Sequence, residues 1–280
     1  MRRSLAIGFV LMLFSGVPAL QAWGPDGHRI VGEIAWHLLT PEAEREVESL
    51  LESGPYNSLA AVGNWADSHA RLYRSYDWAL TLHYVDVDPE AGNIDLARDC
   101  PEGDCIIAEI RRLTVLVADR SLPKWERAEH FRFLVHFIED IHQPLHVVHP
   151  DDQGGNRIKV TLFGRETNLH SVWDSGLIYR RLEPYRSRFW RRSEPWKQWA
   201  YELRGDISQA EVEAWGASSD PLDWAREALA PSRELAFEIR SGDTLGDAYY
   251  QAALPTIELQ LRKAAVRLAA TLNSVFAGGE

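Results

Sequence analysis

The stretch His136-Phe-Ile-Glu-Asp140-Ile-His-Gln-Pro144-Leu-His146 decides how this chain is read. His136 and Asp140 stand four residues apart, so on an α-helix an imidazole and a carboxylate share one face. Pro144 ends that helix, which lets His146 point elsewhere. Downstream, His170-Ser-Val-Trp-Asp174 repeats the i, i+4 pair. Upstream, Asp67 lies at a predicted helix start in Asn64-Trp-Ala-Asp67, His83 follows that helix in Leu-His-Tyr-Val-Asp, and His28 lies near the start of the first helix. Zinc takes imidazole nitrogen and carboxylate oxygen readily. Any one of these histidines alone reads as a surface or satisfied core residue. Two His-x-x-x-Asp pairs with His146 and His28 in one chain are hard to explain by chance. Burying so many carboxylates without compensation would be costly, and metal ions resolve that cost.

Helical periodicity extends outward from this stretch, over residues 24–39, 41–53, 65–80, 104–120, 124–142 and 220–277. Pro41 and Pro123 stand where first helical turns often hold a proline. Between Asn156 and Asn168, Ile158, Val160 and Leu162 alternate with Lys159, Thr161 and Phe163, and Gly164 supplies a turn, so a small β-hairpin is expected there. Residues 181–219, rich in Trp, Arg and Ser, give no clear pattern. With 45% hydrophobic and 25% charged residues the composition is that of an ordinary globular protein. No linker or repeat divides it. The reading is mostly α: a single helical domain over residues 23–280 with one small β-hairpin.

Residues 1–22 differ from the rest. Arg2 and Arg3 precede an apolar run from Leu5 to Phe14, then small residues up to Ala22. That is the pattern of a signal peptide, too short for a comfortable permanent anchor, and it predicts a secreted or periplasmic protein. Ala22 suits the last position before cleavage, although Leu20 stands where a small residue is preferred. The formal charge is −11, and losing Arg2 and Arg3 makes it two units more negative. An acidic chain is a poor sequence-independent binder of duplex DNA, which depends on Lys and Arg. If this protein handles phosphates, bound cations must supply the positive charge. The two cysteines, Cys100 and Cys105, flank Pro-Glu-Gly-Asp. In an exported chain a local disulfide is the favoured reading. A two-cysteine metal site would lack further sulfur ligands.

Cleavage after Ala22 would make Trp23 the first residue. A free α-amino group and the carbonyl oxygen of the same residue chelate a metal in a five-membered ring. While residues 1–22 remain attached that nitrogen is an amide.

Taken together, Trp23-x-x-x-x-His28, Trp-Ala-Asp67, His83-Tyr-Val-Asp86, the His136–His146 stretch, Gly-Gly-Asn156 and His-Ser-Val-Trp-Asp174 resemble the S1/P1 nuclease family, and the resemblance spans the mature chain. It implies a mostly helical secreted enzyme of the zinc-dependent phospholipase C and nuclease type. It implies three zinc ions. Asp67, His83, His136 and Asp140 would hold the first, and Trp23, His28 and Asp140 the second, with Asp140 bridging. His146, His170 and Asp174 would hold the third. Asn156 matches a residue at the substrate phosphate, Tyr84 an aromatic against the base, and Asp86 lies within reach of that base. The family often has a basic residue three positions after the residue matching Asp67. Here that position is Ala70, and Arg71 is the candidate substitute, one helical step away. The Cys100–Cys105 segment resembles a short disulfide loop of the family.

The chemistry expected follows from the metals. Bound zinc brings the pKa of water to about 7, which supplies a nucleophile at neutral pH. Asp67 and Asp140 are the expected catalytic residues, Asp67 orienting the attacking water and Asp140 bridging two ions. The third ion would stabilise the departing 3′-oxygen, leaving 5′-phosphates. The expected substrates are single-stranded DNA and RNA and 3′-nucleotides, because a base paired in a duplex is not free to stack on Tyr84. No membrane partner is expected, and the chain is expected to be monomeric. Two other readings of the same residues fit less well. A zinc-dependent phospholipase C ends its last ligand pair in Glu where this chain has Asp174, and a zinc store has no need of bridging carboxylates.

Overall fold

The computed structural model describes residues 23–88, 91–148, 150–186, 194–236 and 238–278. The expected signal peptide, residues 1–22, lies outside them, as does His149.

Four helices precede the site's first strand. Pro25 pre-sets the first turn of α1 (Pro25–Trp36), and Pro41 does the same for α2 (Pro41–Leu51), capped by the Thr40 hydroxyl. Two single turns follow, α3 (Leu59–Val62), capped by Ser58, and α4 (Trp65–Ser68). After β1 (Val85–Asp86) and the short α5 (Leu96–Asp99), α6 (Ile106–Ala118) packs along α7 (Lys124–Asp140). The last turns of α7 are buried all round, from Phe133 to Asp140, as befits a helix in the middle of a core. Beyond it, β2 (Val147–Val148) pairs in parallel with β1, Val85 opposite Val147.

The hairpin forms where the alternation places it. β3 (Lys159–Leu162) pairs antiparallel with β4 (Arg165–Asn168). Phe163 and Gly164 make the turn, both with positive φ, 48° and 78°, as a two-residue primed turn requires. Then come α8 (Leu169–Ser171), a π-helical turn from Val172 to Gly176, and α9 (Leu177–Leu182). The region without clear periodicity contains α10 (Pro195–Gly205) and α11 (Gln209–Gly216), the latter opened by a Ser208–Glu211 capping box. α12 (Pro221–Pro231), β5 (Thr244–Leu245) and the long α13 (Asp247–Phe276) complete the chain.

Two expected helices are not continuous. Residues 65–80 break into α4 and two 3₁₀ turns, because Tyr73 is extended (φ −122°, ψ 122°) and the Ser68 hydroxyl bonds back to the Asn64 carbonyl at 2.6 Å. Residues 220–277 are interrupted after Pro231 by a π-helical turn. Gly242 at φ 101° turns the chain into β5, which adds to the hairpin beside β3 as a third strand. The architecture is otherwise the expected one: mostly α with a small sheet. Among the described residues no helix is long and apolar enough to cross a membrane.

α1 is wedged between α3, α10 and α13. Its crossing with α3 leaves no room at Gly32, where a Cβ would lie 2.7 Å from Ala60 Cα. Gly32→Ala is therefore expected to cost about 1–3 kcal/mol through overpacking. The measurement is a urea midpoint shift at unchanged slope, and an unshifted midpoint would contradict this close approach.

Candidate metal centre

Three groups of potential ligands meet inside this frame, each with its ligand atoms within 4.8 Å of one another: His28, His136 and Asp140; Asp67, His83 and His136; and His146, His170 and Asp174. α7 ends in His136 and Asp140 on its inner face, and α1 brings in His28. α4 carries Asp67, which lies against His83 just before β1. The 3₁₀ turn Pro144–His146 and the segment from α8 into the π-helical turn supply the third group. Asp140 sits at the centre. Its carboxylate oxygens lie 3.7 Å from His28 Nε2, 3.1 Å from His136 Nε2 and 3.8 Å from His146 Nδ1. Asp67 Oδ1 is 3.9 Å from both His83 Nε2 and His136 Nε2. His170 Nε2 is 3.3 Å from Asp174 Oδ2.

Every imidazole is held from behind. His83 Nδ1 donates to the Ala79 carbonyl (2.8 Å), His136 Nδ1 to Gly63 (2.7 Å), His146 Nδ1 to His83 (2.6 Å) and His170 Nδ1 to Gly154 (2.7 Å). His28 Nδ1 faces Glu139 Oε2 at 2.5 Å. Backbone carbonyls only accept, so at His83, His136, His146 and His170 a proton sits on Nδ1 and Nε2 is the nitrogen left for a metal. That is the tautomer a metal needs.

The donor set fits a divalent metal such as zinc. His28 Nε2, His83 Nε2, His136 Nε2 and both Asp140 oxygens are buried without a hydrogen bond of normal geometry, and atoms of that kind are rare in a folded core. Burial, reinforced by the neighbouring imidazoles, holds His28 and His83 well below the usual histidine range, which keeps them neutral and ready to ligate. Burial raises Asp140 to about 7, with His136 opposing the rise. Burial pulls His136 down, but Asp140 and Asp67 outweigh it and lift it to about 9. A divalent cation among these atoms favours the opposite forms, carboxylate and neutral imidazole.

Trp23 is fully buried, its indole Nε1 donating to the Glu139 carbonyl at 3.1 Å. The Gly24 amide donates to the Asp174 carbonyl at 2.7 Å, and a Cβ on Gly24 would collide with the Ser175 hydroxyl. Trp23 and Gly24 thus lie between α7 and the π-helical turn.

The expected substrate residues stand on segments that adjoin the candidate ligands. Tyr84, directly after His83, is half-buried, and burial with nearby Asp86 raises its phenol pKa. Asp86 is exposed. Asn156 is buried, its amide donating to the Gln153 carbonyl at 3.0 Å. Gly155, at φ 82°, shapes the same loop, and its carbonyl accepts from the His170 amide at 3.4 Å. Arg71 reaches the centre despite its one-residue offset, its Nη1 3.8 Å from Asp67 Oδ1. The i, i+4 spacing that lets Arg71 meet Asp67 is the same one that joins His136 to Asp140, whereas Ala70 is buried. Cys100 and Cys105 are joined as a disulfide. It stands at the N-terminus of α6, whose Ile106 amide donates to the Tyr84 carbonyl at 3.1 Å.

Sequence reading passed over two residues in the decisive stretch. Gln143 donates from Nε2 to Asp174 Oδ1 at 2.6 Å and accepts from the Leu145 amide at 2.5 Å. Glu139 stands behind His28. An acid beside Asp140 on the same face as His136 was the available signal. His142, outside the ligand set, is buried and held by the Ile138 carbonyl and Arg267. A cavity of about 760 Å³ at the far end of α1, lined by Trp36, His37 and Tyr56 among others, contains none of the ligands.

Comparison with known proteins fits this geometry. A family model described as S1/P1 Nuclease matches residues 23–277. Endonuclease 3 of Arabidopsis thaliana is 32% identical over 281 residues, 95% of this chain and 93% of the relative. Nuclease P1 of Penicillium citrinum is 34% identical over 272 residues, 90% of this chain and 97% of the relative. Nuclease S1 of Aspergillus oryzae is 29% identical over 267 residues, 90% and 91% respectively.

Proposed function

This chain belongs to the S1/P1 nuclease family and is a hydrolase acting on phosphodiester bonds; from that premise we propose that it is an exported, three-zinc endonuclease that cuts single-stranded DNA and RNA to 5′-phosphate products and also dephosphorylates 3′-nucleotides. The observation that carries the metal count is the three ligand groups. When bound, zinc supplies Lewis acidity and brings the pKa of water to about 7.

The chain's own residues do the rest. Asp67 orients the attacking water, and Arg71 beside it offsets the charge of the phosphate. Asp67, His83, His136 and Asp140 hold one ion. The amine and carbonyl of Trp23, with His28 and Asp140, hold a second, and His146, His170 and Asp174 hold a third. Tyr84 stacks on the base next to the scissile bond with Asp86 at its edge, and Asn156 contacts the phosphate region. Export is supported by the signal-like residues 1–22, by the start of the family match at residue 23 and by the Cys100–Cys105 disulfide. We take the mature domain as residues 23–280 and the active form as a monomer.

The test is metal analysis of the processed protein together with hydrolysis of single-stranded RNA and DNA, with and without chelator. About three zinc ions per chain and chelator-sensitive cutting are expected. Fewer than two ions, or cutting that survives metal removal, would refute the reading. Stacking makes a further prediction. Tyr84→Ala should weaken single-strand binding by about 1–3 kcal/mol while zinc content is unchanged. Equal cutting of duplex and single strands by the unmodified protein, or 3′-phosphate products, would count against it.

A further inference from the structure

Five imidazoles belong to the ligand groups, and four of them are held by backbone carbonyls. His28 is held by a side chain. Glu139 Oε2 lies 2.5 Å from His28 Nδ1, and both residues are fully buried. The other ring nitrogen, Nε2, faces Asp140 Oδ1 at 3.7 Å. The ring is further fixed by stacking on His136, with centroids 4.7 Å apart and planes 22° apart. Glu139 also touches the chain start, since its carbonyl accepts the Trp23 indole. Its carboxylate occupies space above Gly63, where a Cβ would collide with Oε2. Gly63 is the residue whose carbonyl holds His136. One buried acid therefore meets, by side chain, backbone or sequence neighbour, each expected ligand of the second ion.

A merely structural acceptor has no need of charge here, as the four carbonyls demonstrate. Burying a carboxylate against a neutral ring is costly unless something offsets it. We propose that Glu139 is a positioning residue for the second metal: its carboxylate accepts the His28 Nδ1 proton, fixes the ring, and makes Nε2 a stronger donor than the other imidazoles. The inference rests on the metal reading given under Proposed function. Its physical basis is that a charge-assisted hydrogen bond is roughly twice as strong as a neutral one and that a carboxylate behind a ligating histidine raises its basicity.

The experiment compares the unmodified chain, processed to Trp23, with Glu139→Gln and Glu139→Ala. Zinc alone is the probe, titrated against a chromophoric chelator, with circular dichroism as the check of fold. Glu139→Gln keeps the shape and an acceptor oxygen but loses the charge. It should weaken one zinc by roughly 10–100-fold and leave the other two unchanged. Glu139→Ala should weaken the same ion at least as much. Proton NMR gives a second readout, independent of metal affinity. The unmodified protein should show a far-downfield His28 Nδ1–H resonance that moves upfield in Glu139→Gln. Three ions bound with unchanged affinity by Glu139→Gln, or an unmoved resonance, would overturn the assignment and leave the nuclease reading intact. Equal weakening of all three ions, or unfolding of both variants, would mark Glu139 as a general core residue and also overturn it. An unmodified chain that binds no zinc would overturn both readings.

Discussion

Asp140→Ala is expected to abolish hydrolysis, by more than about a thousandfold, the scale of losing a major electrostatic contribution, and to remove more than one equivalent of zinc. The reason is its position. Its two oxygens lie 3.7 Å from His28 Nε2 and 3.1 Å from His136 Nε2, and His136 is also a member of the group with Asp67 and His83, so Asp140 stands where a carboxylate can bridge the two groups around α7. Deleting any other single ligand leaves each group a carboxylate or a pair of imidazoles. On the bridging reading proposed above, deleting Asp140 takes a shared anion from both at once. The fold should persist, because α7 is anchored by Phe131, Leu134 and Ile138, each fully buried. Metal analysis by mass spectrometry, with circular dichroism for the fold, decides it. Loss of a single ion with activity largely intact would remove Asp140 from the bridging position.

One added residue before Trp23 should have an effect almost as large. The free amine becomes an amide, a far poorer donor, and the extra residue must fit where Trp23 is fully buried and Gly24 already meets Asp174 and Ser175. The extended chain is expected to fold, to bind about one zinc fewer and to lose most of its activity. Trp23→Ala with an authentic terminus keeps both backbone donors and loses the indole that bonds to the Glu139 carbonyl, so its loss should be partial. An extended chain shown by mass spectrometry to be uncut yet fully active would refute chelation by the terminus. If the expectation holds, the precursor is inactive before export.

The candidate ligand groups were legible in the sequence because they repeat a spacing with a geometric meaning. His136/Asp140 and His170/Asp174 share a face at i, i+4 whatever surrounds them. The hairpin was legible from alternation and Gly164. The break of residues 65–80 was not, since Trp65, Tyr73 and Trp78 keep a helical spacing of apolar residues while Tyr73 itself is extended. The nearness of Arg71 to Asp67 does not depend on that break, since an i, i+4 spacing puts two residues on one helical face. β5 was hidden for a related reason. Two residues of strand, Thr244–Leu245, are too short for any alternation to register. Glu139 and Gln143 escaped because their roles depend on what packs opposite them, His28 on α1 and Asp174 on the π-helical turn.

The way the imidazoles are held has a consequence for mutational tolerance. The oxygens behind His83, His136, His146 and His170 are main-chain atoms of Ala79, Gly63, His83 and Gly154. A codon change at Ala79 alters a side chain and leaves the holding oxygen where it was, so drift there is buffered as long as the backbone keeps its path. Glu139 has no such protection. One nucleotide change in its codon can remove the carboxyl that faces His28, so among the five groups behind the imidazoles it is the one that a side-chain substitution takes away directly.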